Sequence, residues 1–217
     1  MLGVSHLLSY REDDAIGPLQ RDEAMALFGI IRTIQPDTLV EFGFFHGHSA
    51  YNFLQALSPD ARLFSYDVCP DAAWRARNEF RFDRRFNFFH KSQTDFDPRD
   101  LGGRRIGFVF FDAAHDIALN TATFERILSH LADDALIAVH DTGLWHRKDF
   151  KPLHHSFIQE VPGQWLNEDL YAHQPGERAF IDWILDEHPQ FSAINLHCTA
   201  VLRHGLTLLQ RHHRLSQ

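Results

Sequence analysis

Leu39-Val40-Glu41-Phe42-Gly43-Phe44-Phe45-His46-Gly47-His48-Ser49 begins as a short, largely apolar run and turns at two glycines four positions apart. Thr38 to Phe42 reads as a short strand buried on both faces, running into Gly43. Ser49 to Leu57 reads as the helix that follows it. Gly43 permits a tight turn, Gly47 permits a close backbone approach to a ligand, and Ser49 can cap the helix. A strand, a glycine turn and a helix in that order form one half of a βαβ unit, and the rest of the chain repeats it.

Upstream, residues 18–34 carry Ala24, Leu27, Phe28, Ile31 and Ile34 at helical spacing, and Pro36-Asp37 ends that helix. Downstream, Ala61 to Tyr66 is a second strand ending at Asp67, with a helix around 71–80. Phe86 to His90 is a third strand. Ile106 to Phe111 is a fourth, ending at Asp112; a helix over about 119–132 and a fifth strand, Ala135 to Val139, lead to His140-Asp141. After a helix from Arg178 to Glu187, Phe191 to His197 and about Ala200 to Leu209 read as two strands joined too tightly for a helical crossover. The fold expected is therefore α/β: a doubly wound, Rossmann-like sheet, mostly parallel, with a C-terminal antiparallel hairpin. Residues 1–217 form one domain, with an N-terminal helical segment over 1–35 and an irregular lid or insertion over 143–176.

Composition narrows the function classes. With 21 basic and 29 acidic residues the formal net charge is −8, which disfavours sequence-independent binding to nucleic acid or anionic lipid. Cys69 and Cys198 are the two cysteines, too few for a disulfide scaffold or a four-cysteine zinc site. No run reaches the ~20 apolar residues of a membrane span, and no signal peptide is visible, so a cytoplasmic protein with no membrane partner is expected. Segment 1–17 has no evident partner in the sheet and is a candidate for docking on a second copy, as in a homo-oligomer.

In doubly wound sheets ligands bind beyond the carboxyl ends of the strands. The polar residues here fall at those exits: Glu41 and Gly43, Asp67, Ser92-Gln93-Thr94, Asp112 and His115, and His140-Asp141. Asp67, 24 residues after Gly43 at the end of the second strand, is placed to accept hydrogen bonds from both hydroxyls of a ribose. The first turn has Gly-x-x-x-Gly spacing, not the Gly-x-Gly-x-x-Gly dinucleotide fingerprint, which counts against a nicotinamide or flavin.

Leu39-Val40-Glu41-Phe42-Gly43, Gly47-His48-Ser49-Ala50, Asp67, Phe110-Phe111-Asp112-Ala113-Ala114-His115 and Ala138-Val139-His140-Asp141, in that order, resemble the class I S-adenosylmethionine-dependent methyltransferases. Within that class the chain is similar to the small bacterial O-methyltransferases akin to the macrocin and catechol enzymes. The resemblance covers about residues 20–142. It implies that Gly43 and Gly47 lie against the methionine part of the cofactor, with Ser49 near its carboxylate and Glu41 near its amino end. Asp67 would hold the ribose, and Gln93 and Thr94 would face the adenine edge. No Lys or Arg stands between Phe42 and Leu57, as suits a cofactor without phosphate.

The resemblance also implies a divalent ion held by an acid after the fourth strand and a pair after the fifth. Here Asp112 takes the first place and His140-Asp141 the pair, with His where an acid is usual. Magnesium prefers oxygen donors, whereas an imidazole suits manganese or a softer ion. Three readings stay open at this point: a softer metal with His140 as ligand, His140 as base or orienting group beside carboxylates, and no metal at all. Asp112, His115 and His140 are the catalytic candidates; His115 falls where the catechol enzymes carry a catalytic lysine and is the first choice of base. The implied reaction is methylation of a hydroxyl on a small metabolite or sugar. The competing readings are a nicotinamide-dependent oxidoreductase and a non-catalytic cofactor- or metal-binding protein.

Overall fold

The structure is a computed structural model, and it describes residues 3–10, 19–113, 116–143, 175–196 and 205–211. Seven strands form one sheet: β1 (Thr38–Phe42), β2 (Arg62–Asp67), β3 (Phe86–His90), β4 (Ile106–Phe111), β5 (Leu131–His140), β6 (Phe191–Leu196) and β7 (Leu206–Arg211). Their order across the sheet is β3-β2-β1-β4-β5-β7-β6. The first five are parallel; β7 runs antiparallel between β5 and β6. This is the doubly wound sheet with its closing hairpin, and the order reverses between β1 and β4.

Helices cover both faces. On one, α1 (Arg21–Ile34), α2 (His48–Ala56) and α3 (Pro70–Glu79) pack through Leu27, Ile31, Phe53 and Ala72 onto Leu39, Leu63 and Phe108. On the other, α4 (Ile117–Leu128) and α5 (Pro175–Glu187) pack through Phe124, Ile127, Phe180 and Ile184 onto Val40, Val109 and Ile137. Every residue of β1 is buried because helices lie on both sides of it, which is why its apolar residues, Leu39, Val40 and Phe42, are not confined to alternate positions. The phenylalanines of β4 are buried in the core, and Phe86, Phe88 and Phe89 of β3 are partly buried and pack against it. No helix among the described residues is long and apolar enough to cross a membrane.

Two boundaries differ from expectation. α4 ends at Leu128 and β5 begins at Leu131, four residues before Ala135. Leu131 pairs with Ile106, and the ladder shifts register before Phe108 pairs with Leu136. The exposed Asp133-Asp134 at that irregularity reads as a turn in sequence but is held in the strand. β7 starts at Leu206, later than about Ala200; residues 197–204 lie outside the described residues. The described part of the N-terminal segment docks on its own chain: His6 Nε2 lies 2.8 Å from Asn52 Oδ1 on α2, and Arg21 donates to the carbonyls of Leu7 and Tyr10.

Candidate active site

The sheet order places the exits of β1, β2, β4 and β5 along one edge. The backbone after β1 stays in the ladder for one more bond, Gly43 N–H donating to the Tyr66 carbonyl at 3.0 Å. It then folds tightly, Gly47 N–H donating to the Phe44 carbonyl at 2.7 Å. Gly43 has φ +100°, and a Cβ there would meet the Asp112 carbonyl oxygen at 2.2 Å. Glycine is therefore required so that the turn after β1 can touch the chain leaving β4. Gly47, at φ +78°, is pressed against the rings of Phe44 and Phe80. The need for glycine at both positions arises from protein packing.

Asp67 organises the same turn. Its Oδ2 accepts the Phe45 N–H at 2.7 Å and its Oδ1 the Cys69 N–H at 2.8 Å. Each carboxylate oxygen has two acceptor positions, so both retain one for a further donor. Exposed Val68 follows directly, leaving an apolar face beside the acid. At the exit of β3, Ser92 caps the short turn that carries Gln93 and Thr94. Gln93 is buried, its Nε2 donates to Asn120 Oδ1 at 2.9 Å, and its Oε1 has no partner.

Glu41 is wholly buried, with Ser49 Oγ donating to Oε1 and Ser65 Oγ donating to Oε2. Burial pushes its carboxyl up to about 8, against the opposing pull of the two serine hydroxyls. Ser65, in the middle of β2, carries no signal in the sequence that would assign it to this group.

At the ends of adjacent strands β4 and β5, Asp112, His140 and Asp141 converge, with one ligand atom of each within 4.8 Å of the others. His140 Nδ1 lies 3.2 Å from Asp112 Oδ1 and 3.2 Å from Asp141 Oδ1. Asp141 adopts the left-handed conformation, φ 61°, at the turn out of β5. Sequence reasoning missed one member: Glu23 on α1, whose Oε2 lies 3.2 Å from His140 Nε2. A Gln20-x-x-Glu23 capping box marks Glu23 as a helix-start residue, but its reach across 117 positions to His140 has no sequence signature.

Burial works against a charge on His140, but the carboxylates of Asp141, Asp112 and Glu23 outweigh it and hold the ring protonated well above the usual histidine range. Burial likewise pushes Glu23 up, and the His140 ring beside it more than reverses this, leaving Glu23 low. His115 lies outside the described residues, as does most of the expected lid. A separate cavity of about 670 Å³, behind the first turn between α2 and α3, shares no residue with the acid cluster.

The donor set, two carboxylates and an imidazole on a buried edge, fits a divalent ion of intermediate softness. The uncharged, glycine-rich turn beside Asp67 fits a nucleoside without phosphate.

Residues 40–142 match the family model described as a methyltransferase domain. The chain is similar in fold to the O-methyltransferase TomG from Streptomyces achromogenes in complex with S-adenosylmethionine. There the identity is 20%, the match covers 90% of this chain and 82% of that one, and the TM-score is 0.61. An S-adenosylhomocysteine complex of an O-methyltransferase from Bacillus cereus gives 16% identity, 93% and 84% coverage, and a TM-score of 0.60. An S-adenosylhomocysteine-bound methyltransferase from Podospora anserina gives 15%, 89% and 80%, and 0.61. A search of curated proteins found no match.

Proposed function

We propose that this chain is a class I S-adenosylmethionine-dependent methyltransferase that delivers the methyl group to an oxygen of a small hydroxylated acceptor bound beside Asp112, with a divalent ion held by Asp112, His140 and Asp141. The observation that carries this reading is the contact between Gly43 and the Asp112 backbone. It brings the turn assigned to the methyl donor against the acid cluster assigned to the acceptor. The O-methyltransferase neighbours with the same fold support oxygen as the acceptor atom.

On this reading Asp67 uses its remaining lone pairs for the ribose hydroxyls, and Val68 offers an apolar face to the base. Gln93 and Thr94 border the adenine edge, where the buried Gln93 Oε1 is the acceptor that lacks a donor. Glu41 and Ser49, already bonded to each other, support the floor of the methionine subsite beneath Gly43 and Gly47.

S-adenosylmethionine supplies an activated methyl group, so the protein's work is to align the acceptor in line with it and to take up the hydroxyl proton. A divalent ion, when bound, lowers the pKa of a hydroxyl and orients it. His140 in the donor set favours manganese or a softer ion over magnesium. Asp112 and Asp141 hold the charge at the acceptor's position. His115, three residues after Asp112, is assigned as the base that removes the acceptor proton.

The test is transfer of a labelled methyl group from S-adenosylmethionine to a panel of catechols, sugars and matching amines. The protein is first chelator-treated, then assayed again after Mn²⁺ or Mg²⁺ is restored. Methylation of a hydroxyl, lost on chelation and restored better by Mn²⁺, is the expected result. Undiminished transfer after chelation removes the metal from the reading, and transfer to amines alone removes oxygen.

A further inference from the structure

Glu23 belongs to the first helix, far in sequence from the residues that would bind an ion, yet it is buried against one of them. Its side chain is 10% exposed and that of His140 is 1% exposed. The two ring nitrogens of His140 face opposite ways: Nδ1 toward Asp112 and Asp141, Nε2 toward Glu23 Oε2, each at 3.2 Å. The Glu23 carboxylate is itself fixed, since Oε2 also accepts the Gln20 N–H at 3.0 Å in the capping box of α1. A carboxylate that accepts from one imidazole nitrogen sets the tautomer, aims the other nitrogen and makes it a better donor to an ion.

We propose that Glu23 is a positioning residue for the metal site: it holds the Nε2 proton of His140 so that Nδ1 points, as an unprotonated ligand, at the ion bound with Asp112 and Asp141. The inference rests on the metal reading above and extends it to α1. The site is therefore completed only when the N-terminal helix docks on the sheet, linking residues 117 positions apart. The ligating pair after β5 contains a histidine, and Glu23 is the partner that makes a histidine serviceable there.

Glu23→Gln and Glu23→Ala separate this role from simple folding. Glutamine serves at the third position of a capping box as glutamate does, so Glu23→Gln keeps the helix start while removing the charge that orients His140. Mn²⁺ affinity is measured on each full-length protein by competition with a chelating dye, alongside thermal unfolding in the absence of metal. The visible spectrum of the Co²⁺-loaded protein reports the imidazole ligand. The expected result is a melting point for Glu23→Gln close to that of the unsubstituted protein. Its Mn²⁺ dissociation constant should rise about 10-fold, and that of Glu23→Ala about 100-fold, with a changed Co²⁺ spectrum. If the unsubstituted protein binds Mn²⁺ and both variants bind it equally well with the same spectrum, the positioning role is overturned while the metal site stands. If the unsubstituted protein binds neither ion, the metal reading falls and this inference with it.

Discussion

Asp112→Asn and His140→Ala each lower methyl transfer by at least about 1,000-fold, a barrier increase on the order of 4 kcal/mol. Asp112 and His140 meet at 3.2 Å at the ends of neighbouring strands, and with Asp141 they form the acid and histidine cluster beside which the acceptor is proposed to bind. Asp112→Asn keeps the shape of the side chain and removes the charge, so its loss reports chemistry and not packing. His140→Ala is also expected to lower stability, because Asp112, Asp141 and Glu23 then face one another without the cation that separates them. Steady-state kinetics with a saturating acceptor, set beside thermal unfolding, distinguish the two effects. Full turnover in either variant removes the cluster from the chemistry.

The second large effect is on stability. The Glu41 carboxyl has an ordinary value of 4.5 and is pushed up to about 8 by burial. Below 4.5 the folded and unfolded chains are both protonated at this position, and above 8 both are ionised. Between these limits the folded state holds a proton that the unfolded state has lost. Stability from this group therefore falls as pH rises through that window, with a ceiling on the order of 5 kcal/mol. Glu41→Gln has no such proton, so its stability declines less between pH 5 and pH 8, and at pH 8 it unfolds at higher urea than the unsubstituted protein. Urea titrations at the two pH values read the difference directly. Equal declines in both proteins mean that Glu41 is ionised in the folded state.

Much of the sheet is legible in the sequence because its strands are short, largely apolar runs with clear ends, the central ones buried on both faces. Thr38 to Phe42, Phe86 to His90 and Ile106 to Phe111 are bounded by Pro, Gly or charged residues, and the structure reproduces those limits. β5 is less legible. Its first half carries Asp133 and Asp134 at a register shift, where the ladder tolerates exposed acids that ordinarily signal a turn. The site divides along the same line. Asp112, His140 and Asp141 are visible because each follows an apolar run and the runs are neighbours in a parallel sheet. Glu23 and Ser65 are not, because each reaches its partner through the packing of an element that local patterning does not position: α1 onto the sheet edge, and β2 beside β1. Glu41 is visible as a residue at a strand exit, but its two serine partners are a property of the assembled core.

The most direct measurement is calorimetric titration of S-adenosylmethionine into chelator-treated protein, with NAD⁺ as control, followed by Mn²⁺ titration of the same protein and of Asp112→Asn. The account predicts micromolar binding of S-adenosylmethionine without metal, no heat from NAD⁺, and a Mn²⁺ heat that Asp112→Asn abolishes. Binding of NAD⁺ in place of S-adenosylmethionine, or a Mn²⁺ heat unchanged in Asp112→Asn, contradicts it.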